Sequence, residues 1–225
     1  MIEIIILINI LVCIFFLTSM HHFYEKKGLY LSIATLSLIS YLASFKITNL
    51  LGSDINTSII IYPIILEIIY ILKKRHPLEK KTKARNYTIV AFVSAIIYIV
   101  LSCLYTPIET NLYALDIGKT FLSNYVMLIV YPITHIISLE LSTKLLPKLD
   151  KMYENKFITI MINYLIVSLI SVVLMINISY IGLLNPFEIF KISIITYLFG
   201  FLVTLITYPA MMYLMNKKKV IEWIQ

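Results

Sequence analysis

Cysteine and charge are both scarce in this chain. Its 225 residues include two cysteines, and only 14% are charged. Cys13 and Cys103 each fall inside an apolar run, which suits packing residues and gives no basis for a disulfide framework or a zinc site. Enzyme signatures are missing as well. There is no H-E-x-x-H, no G-x-S-x-G, no Walker A and no G-x-G-x-x-G. His135 and Glu140 are five residues apart, on different faces of one helix, a poor layout for metal binding or acid–base work. We therefore expect neither enzymatic activity nor a cofactor or metal. No polar stretch is long enough to hold an ATPase, so any transport would be passive, ion-coupled or powered by a partner protein.

What the chain has in abundance is apolar sequence. It is 60% hydrophobic, with a mean hydropathy of +0.90, far above a soluble domain of this length. Seven segments stand out: 4–20, 29–45, 57–72, 87–105, 120–138, 157–178 and 192–215. Each approaches the roughly 20 residues that a helix needs to cross the hydrocarbon. A spanning segment must satisfy its own backbone, so these are expected to be helices. The first has Glu3 and no basic residue ahead of it, and no small-residue cleavage pattern after it, so it reads as a mature helix and not a signal peptide. The third is the shortest.

The few charges are clustered. Two lysines follow segment one, seven basic residues occupy the 73–86 loop, four follow segment five and three lie in the C-terminal tail. The other three loops hold one each: Lys46, Lys119 and Lys191. Sixteen against three places the N-terminus outside and the C-terminus in the cytoplasm by the positive-inside rule. The expected fold is thus an all-α, polytopic helical bundle of about seven transmembrane helices in one domain, multi-pass in a bacterial-type plasma membrane. The net charge of +7 follows from these loops. KKRHPLEKKTKAR has no aromatic interleaving and no nucleic-acid motif, so we expect it to rest against anionic headgroups and not to bind nucleic acid.

Polar residues inside the segments are the candidates for function. Pro63, Glu67, Tyr70 and Lys74 share one helical face, as do Asn124, Tyr131, His135 and Ser138. Ser193, Tyr197, Gly200, Thr204 and Thr207 form a stripe in the last segment; Ala91, Ala95, Tyr98 and Ser102 form a gentler one in the fourth; Tyr164, Ser168 and Ser171 lie in the sixth. Helix packing competes with function as the reading of the small and hydroxyl positions. Glu67 has no Lys or Arg within its own segment. It is either a protonated packing group or a carboxyl that meets a polar solute or a proton. His135 is either a packed neutral imidazole or a ligand contact. Pro63, Pro132 and Pro209 each interrupt an apolar segment, each directly after a tyrosine. Kinked or broken helices flank many transporter binding sites, and an aromatic cavity suits a flat heterocycle.

In its order of segments the chain resembles the queuosine precursor transporters, also called vitamin uptake transporters. The pieces that match are Lys27-Gly28-Leu29-Tyr30, Lys46 and Gly52 in the next loop, Tyr62-Pro63, and Ala84-Arg85 at the end of the basic loop, before the fourth segment. The resemblance implies uptake of a 7-deazaguanine base through a helical bundle. The chain departs from the family pattern where charged or amide residues are usual: Tyr70 stands where an Asp is common, His135 and Ser138 replace a Gln and an Asp, Ser168 and Ser171 replace a further Asp, and Gly200 falls where a Lys is common. The expected solute-binding residues are Glu67, Tyr70, Asn124, Tyr131 and His135. The alternatives are a substrate-binding subunit of an energy-coupling vitamin transporter, or a membrane scaffold with no solute. Pairing as a homodimer is left open.

Overall fold

The computed structural model describes residues 2–50, 52–76, 82–104 and 124–216. Lys80, Lys81, Lys119, Lys217, Lys218 and Lys219, and the 105 and 120–123 ends of two expected segments, lie outside them.

α1 (Ile2–Ala43) has 42 residues. Straight, it would reach about 63 Å, twice the roughly 30 Å of hydrocarbon. It is broken at Glu25, whose φ of 44° and ψ of −118° are not helical. A β-carbon at Gly28 would sit 1.9 Å from the Met20 carbonyl oxygen. Residues eight apart in an unbroken helix are separated by about 12 Å, so the chain folds back on itself here. Only glycine permits that approach. The first two apolar segments are the arms of this reversal.

A short antiparallel hairpin follows, β1 (Ile47–Leu50) and β2 (Ser53–Asn56), in register Ile47 to Asn56 and Leu50 to Ser53. Gly52, at φ 77°, sits in its turn. The sequence reading placed only a loop here. A 3-10 turn (Thr57–Ile60), capped by the Asn56 side chain, leads into α2 (Tyr62–Arg75). Pro63 lies in the first turn of α2, where its missing N–H leaves no bond unmade. It therefore starts a helix and does not kink one, contrary to expectation. Every residue from Tyr62 to Leu72 is buried. A helix apolar on all sides belongs inside other helices, and α2 occupies the centre of the bundle.

Around it stand α3 (Thr82–Leu104), α4 (Met127–Met152), α5 (Lys156–Tyr180) and α6 (Pro186–Asn216). α4 runs past Ser138 to Met152, so Lys144, Lys148 and Lys151 ride on a helix and not in a loop. Ser142, Leu146 and Leu149 on its other face are buried. The inward face of α3 is Thr88, Phe92, Ala95 and Ile99, and Tyr98 of the expected stripe points outward. Among the described residues four helices, α1, α3, α5 and α6, are long and apolar enough to cross a membrane. Outward faces are apolar: Ile129, Ile133 and Ile137 on α4, Leu169, Ile170 and Val173 on α5, Leu198, Leu202 and Ile206 on α6. Exposed apolar surface on this scale fits lipid contact.

The two ends of the bundle differ. One gathers the α1 reversal, the end of α2, the start of α3 and the end of α4. Lys74 pairs with Asp150, Arg85 donates to Glu140 at 2.7 Å, and Arg75 meets both His21 and, at 3.0 Å, the Leu214 carbonyl. The opposite end gathers the hairpin, the end of α5 and the start of α6. Asn56 is its hub. Its amide donates to the Ser44 carbonyl (2.8 Å) and the Tyr180 hydroxyl (3.4 Å), its oxygen accepts from Ser58 N and Oγ, and its own N–H donates to Thr196 Oγ1 (3.1 Å).

Candidate functional site

Tyr131 and His135 lie one turn apart on α4 and face the 3-10 turn, the start of α2, and α5. The His135 ring stacks on Tyr131 (centroids 5.5 Å apart, 20° between planes). Phe92 and Tyr62 meet it edge-on at 5.3 and 5.7 Å. Its Nε2 is 3.0 Å from Ser37 Oγ, and its Nδ1 is buried with no partner among the described residues. A directed chain of hydroxyls runs beside it. Tyr131 Oη donates to Ser40 Oγ (2.6 Å), which donates to the Ser58 carbonyl (3.1 Å). Ser171 Oγ donates to the Val167 carbonyl at 2.9 Å, so in its 2.7 Å contact with Tyr62 Oη the tyrosine is the donor.

Tyr62, Tyr131, Thr134, His135, Ser58 and Ser171 line a narrow cleft that Met175, Val172 and Ile59 complete. Its free volume of about 10 Å³ is near that of one water. A bicyclic solute does not fit this packing, so its admission requires α4 and α5 to part around the cleft.

Glu67 faces elsewhere. Five residues beyond Tyr62, it is turned about 140° around the α2 axis, toward Thr207 of α6. It is 1% exposed, and among the described residues neither carboxyl oxygen accepts a hydrogen bond. The Thr207 hydroxyl already donates to the Val203 carbonyl at 2.9 Å. It has no second proton to give, and can only accept one from Glu67. Tyr70, one turn on, is buried under the Lys74 ammonium 5.9 Å from its ring, and its hydroxyl has no hydrogen-bond partner among the described residues. Asn124 lies at the opposite end, where its Oδ1 accepts from Met127 N at 3.3 Å and its Nδ2 has no hydrogen-bond partner among the described residues.

Of the five expected binding residues, the fold brings Tyr131 and His135 together at one cleft. Glu67 and Tyr70 share a different face of α2, and Asn124 stands apart from both groups. Sequence reading missed Ser37, Ser40 and Tyr62, which complete the His135 surroundings, and Asn56. The serines of α1 recur at 37, 40 and 44 and are all buried, a helical spacing that was there to find. Many other stripe hydroxyls spend their proton on their own helix: Ser138 on Thr134, Ser168 on Tyr164, Thr204 on Gly200. That is the packing reading, and for those residues it is sufficient.

Among the described residues the fold is helical apart from one small hairpin, with membrane-compatible apolar helices around a polar and aromatic interior. Comparison with protein-family models, with curated proteins and with solved structures gives no match.

Proposed function

We propose that the chain is a multi-pass membrane transporter for a small, flat heterocyclic solute, with 7-deazaguanine queuosine precursors as the first compounds to test. The observation that carries this reading is Glu67: a carboxyl to which no described residue donates a hydrogen bond, on a helix buried from Tyr62 to Leu72. An ionised carboxylate left unpaired in such a place costs several kcal/mol. Ionisable groups at membrane depth mark pathways for solutes or protons far more often than they serve packing. The ring cluster at His135 supplies a second element, because it already stacks a flat heterocycle, its own imidazole, on Tyr131, with Phe92 and Tyr62 edge-on to it. In this reading the solute stacks on Tyr131 after His135 yields, and Glu67 carries the proton or hydrogen bond that couples binding to opening.

The seven-pass topology belongs to the same proposal. The two arms of α1, then α2 to α6, give seven passes. The basic end faces a bacterial cytoplasm, and the N-terminus lies outside. The test is uptake of radiolabelled 7-deazaguanine bases, purines and vitamins into vesicles containing only this chain. Glu67→Gln is expected to abolish uptake while its elution profile and thermal melting stay those of a folded protein. Normal transport by that variant would remove Glu67 from the mechanism. Uptake by the chain alone also separates a transporter from a subunit that needs an ATPase, and from a scaffold.

A further inference from the structure

At the basic end a cleft of about 400 Å³ opens between the reversal of α1 and the first turns of α3. This volume lies within the range of small-ligand sites. From α1 it is lined by Lys26, Lys27 and Tyr30; from α3, by Lys83, Asn86, Tyr87 and Val90. The α3 residues recur at three, four and seven, a single face of that helix. The opposite face, Ala84, Thr88 and Phe92, is buried in the bundle. Two rings floor the cleft, Tyr30 against Tyr87, with centroids 5.7 Å apart and planes 27° apart. None of the lining residues is acidic.

The lining is graded. Three ammonium groups and one amide stand toward the basic end. Beyond them along α3 come Tyr87, 51% exposed, and Val90, 65% exposed. Cations passing into exposed aromatic and aliphatic surface match an amphiphile with an anionic head and an apolar tail. A small soluble anion would use only the upper part. Each Lys or Arg near an anionic headgroup adds attraction, and basic pockets between membrane helices hold phosphate headgroups. Tyrosine prefers the same depth.

We propose that this cleft is a binding site for the phosphate headgroup of an anionic membrane lipid, one molecule per chain, with its acyl chain lying along Tyr87 and Val90. The proposal is separate from the transport reading and survives its failure. It also differs from diffuse attraction between basic loops and a negative surface, which would depend on charge number and not on position.

The full chain, purified in a neutral detergent, is titrated with phosphatidylglycerol or phosphatidylcholine and followed by native mass spectrometry. The expected result is one retained phosphatidylglycerol, bound about tenfold more tightly than phosphatidylcholine. Replacing Lys26, Lys27 and Lys83 by Gln together should remove that preference. Replacing Lys144, Lys148 and Lys151 by Gln, the same change in charge on α4, should preserve it. Lys83→Gln alone, at an exposed position, should weaken the preference about threefold, which keeps the test open if the triple variant misfolds. Equal loss in both triple variants, or no loss in K83Q and the cleft triple variant, overturns the site. Glycerol phosphate binding as tightly as the lipid overturns the tail contact and leaves a soluble anion as the ligand.

Discussion

Gly200 shows how much of this protein is decided by single positions. A β-carbon there would lie 2.0 Å from Tyr164 Oη and 2.7 Å from Ile59 Cδ1. Tyr164 is fully buried, and its hydroxyl donates to the Tyr197 carbonyl at 3.0 Å. It cannot swing away freely, so Gly200→Ala should cost about 1–3 kcal/mol through overpacking. Tyr164→Phe alone should cost about 1 kcal/mol for the lost hydrogen bond. The double variant should lose less than the sum, because removing Oη makes room for the new methyl. Thermal melting of the four proteins in detergent reads this directly. Charge at the surface behaves differently. Arg85 hydrogen-bonds Glu140 and holds its carboxyl below the ordinary glutamate value. A lowered pKa adds stability above the unfolded value and loses it as pH falls through the folded one. The gap in Tm between the wild type and Glu140→Gln should therefore be constant near neutrality, close as the medium is acidified below about pH 4.3, and shrink in high salt.

Among the elements, α4 shows how a proline inside a helix is accommodated. Pro132 has no N–H, so the Leu128 carbonyl four residues earlier is left free. Tyr41 of α1 fills it, donating from its hydroxyl at 3.0 Å. Tyr41→Phe should cost about 1–2 kcal/mol in the wild type. It should cost much less in Pro132→Ala, where the restored N–H takes the same carbonyl. Melting of the double-mutant cycle tests that coupling. Pro63→Ala should change stability by less than about 1 kcal/mol, since only chain stiffness is lost at a first-turn proline. The two Tyr-Pro pairs look identical in sequence. They differ in distance from the helix start: α2 begins at Tyr62, directly before Pro63, whereas α4 begins at Met127, behind the turn at Asn124, and Pro132 lies more than a turn inside it. The inward stripes of α4 and α6 were legible because lipid and interior demand opposite side chains on opposite faces. The hairpin was not, since Lys46 to Asn56 is short and mixed in polarity, and its ladder depends on Asn56 reaching Ser44, Tyr180 and Thr196. Nor was the grouping of the site. Spacing places Glu67 and His135 on inner faces of their own helices, but only packing shows that those faces look at different neighbours.

For the whole molecule, the sharpest prediction concerns its two ends. Asp54 lies in the hairpin and Glu154 just past α4, both exposed at opposite ends of the bundle. With Cys13 and Cys103 replaced by Ala, Asp54→Cys should react with a membrane-impermeant maleimide added to intact cells. Glu154→Cys should react only after the cells are opened. Reversed labelling would invert the orientation, and labelling of both from outside would break the seven-pass topology.

The burial of α2 on every side has a consequence for how the chain is made. Thr207 of α6, Asp150 of α4 and Ser171 of α5 all contact α2, and all are translated after it. When α2 emerges from the ribosome it has no neighbours to cover Glu67, and no lipid-facing stripe of its own. It must wait, sheltered by the insertion machinery or held shallow at the headgroups, until the C-terminal helices arrive to enclose it. The order of synthesis is therefore not the order of assembly, and a chain truncated before α6 should be unable to seat its own centre.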